Sequence, residues 1–374
     1  MLVCLVLPLA AAGVQAAPAS NPSLRFAELS DAVQQRSTVK RVGLDDESAC
    51  GASNWSSGTY SLERGGLVRD FRVFVPASYE PIASAPLIIA FHGWGGDDGE
   101  FLDKAVVTAE LNARGYVLIA PVGLGPEEPR RSPASWSFSG STTGLDGDGL
   151  NSNVTGDSEA ICDDARTSNY GYGSCSGVAQ NGCSWTQCTD DDIDYAVALV
   201  SAAAQNLCID LDRVFAVGGS NGGMFTWDLG RTPSSAQVFR AIAPIIGLPH
   251  RGYLDSPLRS GGMPALLITG KQDRTVPPGE WLDTGFTTTT DGDVYYYTGA
   301  SAITEVWAEA NQCDVSLPPV SVDVGVTNVE CRAWNGCAGS ALWPPVLDCR
   351  SDMGHVYGLN WSWPLIMNFF DQYQ

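Results

Sequence analysis

Histidine is scarce in this chain, with only three among 374 residues. Basic residues are also few: 21 lysines and arginines face 42 aspartates and glutamates, which gives a formal net charge of −21. A surface of this sign repels phosphate backbones and anionic headgroups, so we expect neither nucleic acid nor a membrane surface as partner. Charged residues make up only 17% of the chain and hydrophobic residues 44%, a balance typical of a folded globular protein.

Long apolar runs are missing as well. The most apolar segment, residues 1–17, is too short for a confident membrane span and is interrupted by Pro8 and Gly13. It ends in small residues, with Val14 and Ala16 placed as in a signal-peptidase site. We therefore predict a secretory signal peptide and an extracellular protein, with a retained N-terminal anchor as the alternative.

The cysteine count fits export. One of the eleven cysteines, Cys4, lies in the predicted signal peptide. The remaining even number, ten, predicts up to five disulfides in a secreted protein. Zinc is disfavoured because the Cys183–Cys188 and Cys331–Cys337 pairs have no neighbouring histidine. Glycosylation sequons occur at Asn54, Asn153 and Asn360.

Apolar runs alternate with helical patterns over most of the chain. Strands are predicted at 68–75, 86–91, 116–121, 213–217, 239–246 and 265–269, and helices at 24–33, 100–114, 191–205, 304–311 and 363–373. This alternation predicts an α/β fold with a mostly parallel sheet and helices on both faces. We expect a lead-in over 18–55 and one domain over 56–374. Within it, the Cys-rich stretch 124–190 lacks periodicity and is expected to be an insertion that faces the substrate.

One motif carries a chemical signal of its own. Gly218-Gly-Ser-Asn-Gly222 matches G-x-S-x-G where a strand ends and a helix begins. This is the context of a nucleophile elbow, in which glycines permit the tight turn that exposes the serine. Ser220 is therefore the predicted nucleophile.

A serine nucleophile needs a base and an acid, which follow it in the order serine, acid, histidine in α/β-hydrolases. Only His250 and His355 come after Ser220, and only His355 leaves room for a strand that carries the acid. Asp273 directly follows such a strand. The sequence thus predicts a Ser220–His355–Asp273 triad.

The same chemistry needs backbone donors for an oxyanion. One should be the N–H of Asn221, directly after the nucleophile, and the second should come from the loop after an early strand, where we choose Trp94. His92, in that loop, is expected to brace it. Substrate contacts are predicted for Trp136, Trp185, His250 and Trp361.

These motifs together resemble the secreted feruloyl esterase and polyhydroxybutyrate depolymerase family of α/β-hydrolases. The matching motifs are Cys50-Gly51, Phe91-His-Gly-Trp-Gly-Gly96, Cys183-Ser-Trp185, Gly218-Gly-Ser-Asn-Gly-Gly-Met224, Asp273 with Val276-Pro277, and Gly354-His-Val356. The resemblance spans roughly residues 50–374. It implies extracellular hydrolysis of carboxylic esters without a metal or organic cofactor.

The resemblance leaves several substrates open. We expect first a feruloyl ester on plant polysaccharide, cleaved through an acyl-enzyme, then a polyester or acetylated xylan. From another class, the chain could be a catalytically silent binding protein on the same fold, which a complete triad disfavours.

Overall fold

The computed structural model describes residues 50–51, 53–125, 134–139, 142–144, 161–163, 184–186, 192–255, 258, 262–337 and 343–373. For 142–144 and 184–186 it describes the backbone alone. The expected signal peptide, most of the lead-in, its predicted helix, the Asn153 sequon and most of the 124–190 insertion lie outside the described residues.

A ten-stranded sheet forms the centre of the domain. The described strands, numbered along the chain, are β1 Gly58–Arg64, β2 Leu67–Phe74, β3 Ala85–Phe91, β4 Val117–Pro121, β5 Thr142–Gly144, β6 Ser184–Thr186, β7 Ile209–Gly219, β8 Ala241–Ile245, β9 Ala265–Gly270, β10 Phe286–Thr288, β11 Tyr296–Thr298, β12 Val320–Val322, β13 Val329–Ala333 and β14 Val346–Ser351. The large sheet has the order β1-β2-β4-β3-β7-β8-β9-β14-β13-β12, and β5-β6 and β10-β11 form two separate two-stranded antiparallel sheets.

The middle of the sheet is parallel. Strands β4, β3, β7, β8, β9 and β14 pair in parallel, while β1-β2 and β12-β13 extend the two edges with antiparallel pairs. The parallel strands carry continuous apolar runs because both of their faces are buried. Their carboxyl ends share one edge of the sheet, and in such folds this edge holds the ligand crevice.

Helices cover both faces of the sheet. The described helices are α1 Gly99–Leu102, α2 Ala105–Arg114, α3 Asp192–Asn206, α4 Asn221–Arg231, α5 Pro233–Ala236, α6 Ala300–Ala310 and α7 Leu359–Phe370. One apolar core contains side chains of α3, α4 and α6, and a second contains those of α2 and α7. Alternate residues of β3 enter opposite cores, as the two-residue period of a strand requires. This architecture confirms the predicted α/β-hydrolase fold class.

Two helix predictions were wrong in detail. The helix expected over 100–114 is split at Lys104, which is extended, and Arg72 bonds the Asp98 carbonyl and the Asp103 carboxylate at the two ends of α1. The last helix begins at Leu359 and not at Trp363. Pro364 falls in the second turn of this helix, where its missing N–H removes one helical hydrogen bond.

Within the 124–190 stretch, residues 134–139 contact helices α3 and α4. Residues 134–138 are buried. The Ser137 N–H donates to Asp192 of α3 at 2.7 Å, and the Ser139 N–H donates to Asp228 of α4 at 2.9 Å. These carboxylates satisfy backbone groups that burial would otherwise leave unpaired, so residues 134–139 form part of the core.

Three disulfides are described: Cys50–Cys208, Cys313–Cys337 and Cys331–Cys349. The last of these joins β13 to β14 and therefore fixes the antiparallel edge of the sheet. Cys162 is also disulfide-bonded. No helix within the described ranges is long and apolar enough to cross a membrane.

Candidate active site

The G-x-S-x-G segment forms a sharp turn between β7 and α4. Ser220 has φ 51° and ψ −117°, a strained conformation for a residue with a side chain. The glycines around it are required by space. A Cβ on Gly222 would lie 2.2 Å from the carbonyl oxygen of Phe91, and one on Gly219 would lie 2.0 Å from the Tyr357 ring. The turn therefore lifts Ser220 out of the sheet and packs it against neighbouring backbone.

Three predicted site residues meet at the carboxyl edge of the sheet. The Ser220 Oγ lies 2.9 Å from His355 Nε2, and His355 Nδ1 lies 2.7 Å from Asp273 Oδ2. The other Asp273 oxygen accepts the backbone N–H groups of Thr275 and Val276, both at 2.9 Å. A carboxylate held this way accepts a hydrogen bond from His355 Nδ1–H, which leaves Nε2 free to accept the serine hydroxyl proton.

One predicted backbone donor, Asn221, directly follows Ser220 in the chain, and the other, Trp94, lines the same cleft. The Asn221 N–H is the first of α4, where no preceding helical turn supplies an acceptor. Trp94 follows β3, is 39% exposed and lines the same cleft as Ser220.

The Asn221 side chain has a structural role that the motif alone does not reveal. Its Oδ1 accepts the Trp136 backbone N–H at 2.8 Å, and its Nδ2 donates to the Trp136 carbonyl at 2.9 Å. Asn221 therefore joins the start of α4 to the buried segment 134–139.

His92 holds the loop after β3 from inside. Its Nε2 accepts the Gly123 N–H at 2.9 Å, so the ring proton lies on Nδ1, which donates to the Gly93 carbonyl at 2.7 Å. Burial lowers the pKa of His92 and favours this neutral form.

Two residues beside the site were missed in the sequence. Glu100 Oε2 accepts the Gly93 N–H at 2.8 Å and the Tyr357 hydroxyl at 2.7 Å. Burial raises the pKa of Tyr357 well above its ordinary value, so the hydroxyl remains a donor. Tyr357 lies two residues after His355, and this proximity was the only sequence signal for it.

Two cavities open at Ser220. The larger has a volume of about 770 Å³ and is lined by the Trp94 loop, His355 and the segment that follows it, including Val356 and Trp361. The smaller has a volume of about 170 Å³. Besides Ser220 and Asn221 it is lined by Met224, His250, Val276, Tyr295 and Tyr297, with Asp291 and Asp293 among its other residues.

Of the residues predicted to contact substrate, two line the cavities at Ser220 and one is buried in the core. Trp361 lines the larger cavity and His250 the smaller one. Trp136 is fully buried, with its ring against Phe91 and Phe225, so the expectation of a direct substrate contact is corrected to a core role. Trp185 lies in β6, where side chains are outside the described part of the structure.

Within the described ranges, no group of three or more His, Cys, Asp or Glu side chains is arranged to hold a metal ion.

Among known proteins, only solved structures resemble this chain, and the resemblance is in their fold. No family model matches the chain, and no curated protein matches it. Among solved structures, an acetyl xylan esterase from Aspergillus awamori is 13% identical over 84% of this chain and 99% of that one, with a TM-score of 0.48. An S-formylglutathione hydrolase from Agrobacterium tumefaciens is 14% identical over 58% and 76%, with a TM-score of 0.35.

A third solved structure, a thermostable esterase, is 17% identical over 59% of this chain, with a TM-score of 0.37, and the chain spans about half of it (48%). The structural neighbours therefore include esterases, and their likeness to this chain is one of fold alone.

Proposed function

We propose that the protein is a serine carboxylic-ester hydrolase that works through an acyl-enzyme. The observation that carries the proposal is the unbroken chain of hydrogen bonds from Ser220 Oγ through His355 to buried Asp273. A purely structural serine gains nothing from a strained turn that aims its hydroxyl at an imidazole.

In the first half-reaction, Ser220 Oγ attacks the ester carbonyl carbon while His355 Nε2 takes the hydroxyl proton. The carbonyl oxygen becomes an oxyanion, which the Asn221 and Trp94 N–H groups stabilise. When the tetrahedral species collapses, the bond to the alcohol oxygen breaks and His355 returns the proton to that oxygen. Asp273 holds the imidazole in place and stabilises its charged form.

In the second half-reaction, water attacks the acyl-serine carbonyl. His355 accepts a proton from that water and then donates it to Ser220 Oγ as the acyl bond breaks. The free acid leaves, and the serine hydroxyl is restored.

The placement of His355 supports an assignment of the two cavities. The base must protonate the departing alcohol, so the alcohol portion belongs on the side that His355 lines, which is the larger cavity. The acyl portion then enters the smaller one. At about 170 Å³ this is below the range of roughly 300–1,000 Å³ usual for drug-sized ligands.

These sizes favour a short acyl group on a bulky alcohol. A hydroxycinnamoyl group, with its aromatic ring on a propenoyl chain, suits the smaller cavity poorly. We therefore rank polymer-linked short-chain esters, such as acetylated polysaccharide or polyester, above the feruloyl ester expected from the sequence. Secretion, which the disulfides favour, would bring the enzyme to such polymers.

The competing proposal of a silent binding protein is tested by covalent labelling. A fluorophosphonate should attach to Ser220 in the folded protein and leave the Ser220→Ala variant unlabelled, as located by peptide mass spectrometry. Folded wild-type protein that takes up no label would overturn the hydrolase proposal.

The acyl preference is tested with two esters of the same alcohol, methyl ferulate and methyl butanoate. A higher kcat/KM for the butanoate supports the cavity assignment. A strong preference for the ferulate would reverse it and restore the feruloyl ester to first place.

A further inference from the structure

Trp136 contacts the loop after β3 from the interior of the protein. Its indole N–H donates to the His92 carbonyl at 3.0 Å. The Gly93 N–H belongs to the same peptide group as that carbonyl and donates to Glu100 at 2.8 Å. The peptide group that leads into the loop is therefore held at both of its polar ends, by Trp136 on one side and by Glu100 on the other.

The segment 134–136 makes a second contact with this loop. The Ala134 carbonyl accepts the Gly95 N–H at 2.7 Å. Trp94, which is proposed to supply one oxyanion donor, therefore lies between two residues, His92 and Gly95, that both bond to the segment.

The same segment is bonded to the residue that supplies the other proposed donor. The Asn221 side chain bonds to both polar groups of the Trp136 backbone, at 2.8 and 2.9 Å. The Asn221 N–H directly follows Ser220 in the chain. Trp136 is thus bonded to both of the places from which we expect stabilisation of an oxyanion.

The Trp136 ring is fixed by the core around it. It is fully buried, with an edge contact to Phe91 at 5.1 Å and a stacking contact to Phe225 at 5.7 Å. The Arg69 guanidinium lies 5.1 Å from the ring centroid. A ring packed in this way keeps its N–H at a defined point, so the bond to the His92 carbonyl needs no rearrangement when a substrate reacts.

We propose that Trp136 is a positioning residue that holds the two oxyanion donors, Asn221 and Trp94, in a fixed relation to each other and to Ser220. The proposal rests on the proposed ester hydrolase function. Trp136 lines neither of the two cavities at Ser220, so it acts through the backbone of the donors. Its effect belongs to the transition state, where negative charge develops on the substrate oxygen, and not to substrate binding.

The first test variant is Trp136→Phe, which keeps an aromatic ring in the core and removes the indole N–H. The second replaces Trp136 by 3-benzothienylalanine, which keeps the shape of the indole and has sulfur in place of the N–H. With 4-nitrophenyl butanoate we expect kcat to fall about 10-fold in both variants and KM to stay nearly unchanged, since loss of a whole oxyanion donor costs roughly 100- to 1000-fold. Butylboronic acid, which forms a tetrahedral adduct with a nucleophilic serine, should bind about 10-fold more weakly to both variants.

Trp363→Phe is the matched control. Trp363 is also fully buried, and its Nε1 has no hydrogen-bond partner among the described residues. The same reduction in ring size at this position should leave kcat, KM and the affinity for the boronic acid as in the wild type.

A wild-type kcat and boronic acid affinity in the 3-benzothienylalanine variant would overturn the proposal. Losses of the same size in Trp363→Phe, or a rise in KM alone in the Trp136 variants, would overturn it as well. A wild-type protein that hydrolyses no ester and takes no fluorophosphonate label would instead refute the hydrolase function itself. Thermal unfolding of each variant verifies that it is folded.

Discussion

The Tyr357 hydroxyl donates to Glu100 Oε2 at 2.7 Å, and this bond connects the two loops that flank Ser220. The same Glu100 oxygen holds the Gly93 N–H, directly before Trp94. Tyr357 also packs its ring against Phe101 at 5.6 Å. The loop that carries His355 and the loop proposed to bind the oxyanion are thus fixed to each other through one carboxylate.

Tyr357→Phe should lower kcat by about 10-fold with little change in KM, because it loosens groups that act mainly in the transition state. The Phe101 contact is preserved, so the melting temperature should change by only a few degrees. Steady-state kinetics on a short-chain ester measures kcat and KM separately. An unchanged kcat, or a rise in KM alone, would show that the bond does not position the catalytic groups.

Asn221→Ala should destabilise the fold by about 2–4 kcal/mol, because it leaves the buried Trp136 N–H and carbonyl without partners. The exposed Asn335→Ala is the control and should change the free energy of unfolding by less than about 0.5 kcal/mol. Chemical denaturation compares the two. Equal stabilities would mean that Asn221 does not anchor the 134–139 segment.

Gly222→Ala should reduce stability by about 3 kcal/mol or more, since its Cβ would meet the Phe91 and His92 carbonyl oxygens at 2.2 and 2.5 Å and backbone has little freedom to yield. Gly58→Ala is the matched control: its Cβ would meet nothing closer than a Tyr60 ring carbon at 3.8 Å. Thermal unfolding with intact disulfides is the measurement. Similar losses in both variants would contradict the close packing at the elbow.

His250 should make the fold sensitive to acid. Its pKa is about 3 in the folded protein and near 6.5 when unfolded, so between these values the unfolded chain binds a proton that the folded protein does not. Stability is therefore lost as the pH falls below about 6.5. From pH 6 to pH 4 the wild type should lose about 2–3 kcal/mol more than His250→Leu.

Denaturant titrations at each pH measure that difference. A residual slope common to both proteins is expected from His92, whose pKa burial also lowers. If the free energies of unfolding of the wild type and of His250→Leu changed in parallel over the whole pH range, His250 would not be buried in its neutral form.

Local patterns were sufficient for the parallel core of the sheet and for the Ser220–His355–Asp273 constellation. The buried strands are continuous apolar runs, and Ser220 and Asp273 each follow the end of one, so their meeting at one edge follows from parallel topology. The small number of histidines also made the base predictable, because few of them could serve in that role.

The surroundings of the site could not be predicted in this way. The cavity wall brings His250 together with Tyr295 and Tyr297 on the β10-β11 side, and only tertiary packing sets that meeting. Trp136 is a large aromatic residue of the kind that often binds ligands. The segment around it is buried, however, so its side chain packs in the core. The Tyr357–Glu100 bond spans 257 positions of sequence and leaves no periodic pattern.

The proposed function depends above all on Ser220 as the nucleophile of an ester hydrolase. The most direct measurement is the rate of hydrolysis of 4-nitrophenyl butanoate by the purified wild type and by Ser220→Ala at equal concentration. We expect turnover by the wild type and a fall in kcat of about 10⁴-fold or more in the variant, as for other serine triads. A folded Ser220→Ala variant that hydrolyses the ester at the wild-type rate would contradict it.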